Sequence, residues 1–69
     1  MGDLSRSEIE ELIDEWILNA RNRRILHRRL IDGIHYEELA EEFDLSVTQI
    51  KNIVYKGRRK LLQHKNKTE

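Results

Sequence analysis

The sequence predicts an all-α fold, a small four-helix domain, and three observations carry that expectation. Apolar residues recur at helical spacing in four separate stretches, and capping residues stand just before most of them. The interruptions are short, at Asp32-Gly33 and at Asp44-Leu45-Ser46. None of the 69 residues is Pro or Cys, so no proline breaks a helix and no disulfide supplements the thin core that this length allows.

The first helix is expected over 5–18, with Ser5 or Ser7 as N-cap, each followed three residues later by Glu. Ile9, Leu12, Ile13, Trp16 and Ile17 follow the spacing i, i+3, i+4, i+7, i+8, one stripe that takes Trp16 into the core. Asn19 caps a second helix carrying Ile25, Leu26, Leu30 and Ile31, which stops at Asp32-Gly33 because Gly33 can take the left-handed conformation that ends a helix. The third helix is expected over Tyr36–Phe43. The fourth is expected over 47–63, with Gly57 its one weak point, since glycine disfavours helix. Residues 64–69 form a basic tail expected to fray. Residues 1–69 thus read as one domain, with 21–63 as its main unit.

Leu39 and Phe43 are i, i+4 on the third helix, and Ile50, Ile53 and Val54 are i, i+3, i+4 on the fourth. Those two stripes close on each other only across a tight turn. Leu45 would plug the corner, Ala40 is small where the fourth helix must pass closely, and Ser46 with Gln49 makes a capping box. A short helix, a tight turn and a longer helix in this order make a helix-turn-helix unit, of the kind that places its second helix in DNA.

The formal net charge of zero conceals four blocks. Residues 1–19 set Arg6 against Asp3, Glu8, Glu10, Glu11, Asp14 and Glu15, for minus five; residues 20–31 carry Arg21, Arg23, Arg24, Arg28 and Arg29, for plus five. Residues 32–45 hold six acids and no base, for minus six, and residues 46–69 hold seven bases against Glu69, for plus six. A polyanion responds to the local basic end of the chain rather than to the sum.

Opposite its apolar stripe the fourth helix carries Thr48, Lys51, Asn52, Tyr55 and Arg59, one polar face. Asn or Gln can pair with adenine, Lys can reach guanine and a Thr methyl can touch thymine, so Thr48, Gln49, Lys51 and Asn52 are the candidate base readers. Tyr55, Lys56, Arg58 and Arg59 lie farther along, where backbone phosphate is the target, and the helix start at Ser46 and Val47 offers free N–H groups to another phosphate. Arg23, Arg24 and Arg28 on the second helix are further phosphate candidates. Gln49 has a competing use in the capping box, and the arginines of the second helix could instead be a solvated face or pair with the acidic blocks.

Other chemistries lack residues. His27, His35 and His64 have neither Cys partners nor a second His at i+4, so no metal site is expected. Glu37, Glu38, Glu41 and Glu42 lie on one exposed helix without a gathered acid/base pair, and no Gly-rich phosphate loop occurs; catalysis, a cofactor and a small-molecule substrate are not expected. No apolar run approaches a membrane span and the acidic start is wrong for a signal peptide, which together with the lack of Cys points to a soluble cytoplasmic protein.

Over 23–61, about two-thirds of its length, the chain resembles region 4 of bacterial RNA polymerase sigma factors, the four-helix element that reads the promoter's upstream hexamer. The likeness lies in Arg23, Ile25 and Leu26, in Asp32-Gly33-Ile34, in Tyr36-Glu37-Glu38-Leu39-Ala40-Glu41-Glu42, in Leu45-Ser46-Val47 and in Lys56-Gly57-Arg58-Arg59-Lys60-Leu61. It is similar in particular to the short sigma-like proteins of bacteriophages and mobile elements. Four positions depart from the family pattern: Asp44 stands where Gly is usual, His35 where Ser or Thr caps, Gly57 where Ala is usual, and Arg28 where many relatives are apolar. Nothing here resembles sigma region 2, which melts the start site.

The resemblance implies a sequence-specific DNA-binding transcription regulator, its recognition helix at about 47–63 in the major groove, acting with RNA polymerase and another factor. Two alternatives are a protein-interaction module that grips the polymerase, with the acidic first helix and Trp16 docking a partner, and a phage DNA-packaging or recombination accessory. The expected partners are double-stranded DNA and RNA polymerase, with no membrane.

Overall fold

The computed structural model describes residues 4–64. They form α1 (Arg6–Trp16), α2 (Ala20–Leu26) running on into a π-helical segment (His27–Ile31), α3 (Tyr36–Phe43) and α4 (Val47–His64), with no strand among the described residues. The all-α reading holds. His64, expected in the frayed tail, is still helical; the rest of that expected tail, 65–69, lies outside the described residues.

Local signals set most of the helix ends. Ser5, not Ser7, caps α1 through a complete capping box: the Glu8 N–H donates to Ser5 Oγ at 3.2 Å and the Ser5 N–H to Glu8 Oε1 at 2.9 Å. Asn19 Oδ1 accepts from the Asn22 N–H at 3.0 Å and starts α2. α1 ends at Trp16 rather than 18, because Ile17 is already extended; this turns Ile17 inward and leaves Leu18 82 % exposed.

The end of α2 departs from expectation. The Asp32 N–H donates to the carbonyl of His27 at 3.2 Å, an i to i+5 bond, and the Ile34 N–H closes over left-handed Gly33 (φ 74°) onto the Arg28 carbonyl at 3.0 Å. The extra residue in the turn lets the chain bury Ile25 and Leu26 fully while Leu30 and Ile31 stay half-buried. It also carries Arg28 to Glu42 on α3, where its Nε donates at 2.9 Å. Arg28 thus ties the π segment to α3.

α1, α2 and α3 each pack on α4, and one core runs between them. It is built from Ile9, Ile13 and Ile17, from Ile25 and Leu26, from Leu39 and Ala40, and from Ile50, Val54 and Leu61. Gly57 is buried and sits on Leu26: a Cβ there would lie 2.5 Å from Leu26 Cδ1 and 2.7 Å from Cδ2. What read as a weak point in a helix is the place where α2 reaches α4. Trp16 is only half-buried and stacks on His64, ring centroids 3.6 Å apart and planes within 3°, so the end of α1 closes on the end of α4. Asp14 with His27 Nε2 at 3.3 Å and Arg6 with the Ile31 carbonyl at 3.3 Å fasten α1 to the π segment.

Candidate nucleic-acid interface

The interface starts from a turn that fixes where α4 begins. Asp44 takes the left-handed conformation (φ 57°, ψ 46°) just past α3. The Leu45 N–H then reaches back to the Ala40 carbonyl at 2.9 Å, and the Asp44 N–H to the Glu41 carbonyl at 3.4 Å, the paired closure of a Schellman motif. Aspartate can adopt this conformation at less cost than most residues. Half-buried Leu45 and Val47 anchor the corner beside it. The next two bonds set the helix start, with Ser46 N–H to Gln49 Oε1 at 2.9 Å and Gln49 N–H to Ser46 Oγ at 3.1 Å.

From that start α4 buries Ile50, Val54, Gly57 and Leu61 and exposes Thr48, Lys51, Asn52, Tyr55, Lys56 and Arg59. The helix holds five Lys and Arg residues and no acid. Its outward face is therefore cationic along its length, with amide and hydroxyl groups near the N-terminal end. That combination suits a phosphate-flanked groove, where charge gives affinity and short polar groups meet base edges.

The candidates do not all stand equally free. Gln49 is exposed, but its carbonyl oxygen is engaged in the capping box, which competes with the two-pronged pairing of an amide with adenine. Ser46 Oγ is engaged in the same box. Lys51 reaches over the Tyr36 ring, its Nζ 5.7 Å from the centroid. Two arginines of α2 and the π segment turn toward α3, Arg24 lying over the Phe43 ring at 5.7 Å and Arg28 pairing with Glu42, while Arg23 is half-buried. Tyr55 is 57 % exposed and Arg58 is half-buried.

One residue outside the sequence-based set lies close to it. Exposed Arg21, in the first turn of α2, lines a cavity of about 210 Å³ together with Gln49 and Asn52. Only the packing of α2 on α4 brings it there, and its spacing from Asn52 in the chain carries no signal. On the same flank a groove of about 340 Å³ runs between Trp16, Leu18, Leu26, Gly57 and the lysines Lys56 and Lys60. Among the described residues no group of His, Asp and Glu is placed to hold a metal ion, and no helix is long and apolar enough to cross a membrane.

A family model described as sigma-70, region 4 matches residues 17–63, more than half of the chain, from just past α1 to the last turn of α4. No curated protein and no solved structure matches the chain.

Proposed function

The chain belongs to the sigma-70 region 4 family of DNA-binding helix-turn-helix domains, and from that premise we propose that it is a sequence-specific transcription regulator that reads duplex DNA with α4. The carrying observation is the acid-free outer face of α4, presented beyond a turn closed by Asp44 and the Ser46–Gln49 box. Thr48, Lys51 and Asn52 read base edges. Tyr55, Lys56 and Arg59 hold phosphates where the helix leaves the groove, and the free N–H groups at Val47 hold another. Arg21 contacts the backbone on the flank next to Asn52, a role better suited to it than to Arg24 and Arg28, which are engaged with α3.

The regulator acts with RNA polymerase and a second factor. The exposed acids of α1 and α3, Glu10, Glu11, Asp14 and Glu15 with Glu37, Glu38 and Glu41, repel a polyanion and offer a protein-binding surface. Bound duplexes selected from a random pool supply the site, and transcription from that site is then measured in vitro. Specific initiation is expected only when core polymerase, this chain and a further sigma-type factor are all present. Initiation by core polymerase and this chain alone refutes the need for the second factor, and failure to enrich any duplex refutes the DNA reading itself.

A further inference from the structure

We propose that a cavity between the end of α2, the start of α3 and the middle of α4 binds a phosphate group through Arg29 and Arg58. The cavity measures about 310 Å³; Arg29, Arg58, Tyr36 and Gly33 line it, over an apolar floor that includes Ile9 and Val54. Arg29 is held in place, its guanidinium 4.4 Å over the Tyr36 ring and its Nη1 donating to the Ile34 carbonyl at 3.1 Å. Arg58 Nε is buried and has no hydrogen-bond partner among the described residues. No carboxylate lines the cavity, and among the described residues neither arginine is in an ion pair. Lys51, over the same Tyr36 ring, adds a third cation nearby.

Two guanidinium groups on one partly enclosed cavity repel each other, and a buried N–H without a partner carries a desolvation cost. An oxyanion relieves both at once. Guanidinium forks match phosphate oxygens in pairs, and donors arriving from two different helices suit a tetrahedral anion better than a planar carboxylate. The phosphate can come from the backbone of a duplex lying along α4 or from a free phosphorylated small molecule. The site does not depend on α4 reading bases, so its test stands even if no preferred DNA sequence exists.

The test is a titration of the full chain with inorganic phosphate at constant ionic strength, followed by NMR of the arginine Nε–H signals. The expected result is a saturable shift of the Arg29 and Arg58 signals that acetate does not reproduce. Arg29→Gln and Arg58→Lys should each weaken phosphate binding by about tenfold or more, the loss of one charge-assisted hydrogen bond. Absence of a saturable shift, an equal response to acetate, or unchanged affinity in both variants overturns the site. The same variants then identify the source. If the backbone supplies the phosphate, Arg29→Gln weakens every duplex alike; if a free phosphorylated molecule does, duplex binding by Arg29→Gln is unchanged while adenosine monophosphate shifts both signals of the unsubstituted chain.

Discussion

Lys51 and Asn52 stand in the first two turns of α4, where a helix entering the major groove by its N-terminus meets base edges; Arg59 stands two turns beyond. Lys51→Ala or Asn52→Ala is expected to lose about 1 to 3 kcal/mol on the best duplex and to blur its preference. Arg59→Ala should instead weaken all duplexes alike and flatten the salt dependence by about one. Competition binding against selected and scrambled duplexes separates the two classes, and identical behaviour of Lys51 and Arg59 would displace the groove face. Gln49 belongs with neither class while its oxygen is held by the Ser46 N–H. Gln49→Ala should leave the selected sequence unchanged. At Gly57 two effects oppose: alanine gains about 1 kcal/mol of helix propensity, but its methyl meets the fully buried Leu26, and overpacking a core costs about 1 to 3 kcal/mol. The net expectation for Gly57→Ala is a loss of about 1 kcal/mol in urea unfolding. Adding Leu26→Val should recover part of it, whereas a more stable single variant would show that Leu26 has room to move.

At the scale of elements, the turn between α3 and α4 is the part on which the interface depends. Its left-handed residue is an aspartate, so Asp44→Gly should stabilise the fold by about 0.5 to 1 kcal/mol, the removed strain exceeding the added freedom of the unfolded chain. Ser46→Ala opens the capping box and should cost about 1 kcal/mol. Thermal unfolding of the two variants checks both signs, and a destabilising Asp44→Gly would mean that the aspartate side chain contributes to the turn. These devices were legible in the sequence because a cap acts over three residues of chain. The π segment after α2 was not: His27–Ile31 has the apolar spacing of an ordinary helix, and its wider turn is settled by where Leu26, Arg28 and Arg29 find partners on α4 and α3.

At the scale of the whole molecule, charge is segregated by element, and the zero net charge has no bearing on how a polyanion approaches. If α4 and its flanks neutralise about four to six phosphates, log affinity should fall with log salt at a slope of about −4 to −5. Duplex binding measured across a salt series tests this directly. A salt-independent interaction would remove the electrostatic basis of the proposed interface. The acidic blocks on α1 and α3 would orient a bound duplex, since either face turned toward the backbone would meet like charge.

Four helices, the caps Asn19 and Ser46, the left-handed stops at Gly33 and Asp44 and the polar face of α4 were legible in the sequence, because each depends on periodicity or on bonds spanning a few residues; between Ser5 and Ser7 as the first cap the structure chose Ser5. Tertiary structure alone decided which arginines are engaged and with what. The sequence offers Arg24 and Arg28 as phosphate candidates, and packing sets Arg24 over the Phe43 ring and pairs Arg28 with Glu42. Arg21 carries no signal in the sequence, and packing brings it to the same cavity as Asn52. Periodicity assigns Trp16 to the core, and in the fold it is half-buried and stacks on the ring of His64, at the far end of α4. The physical reason is common to all of these: helix periodicity fixes which way a side chain leaves its own helix, but its partner is set by how helices distant in sequence come to lie against each other.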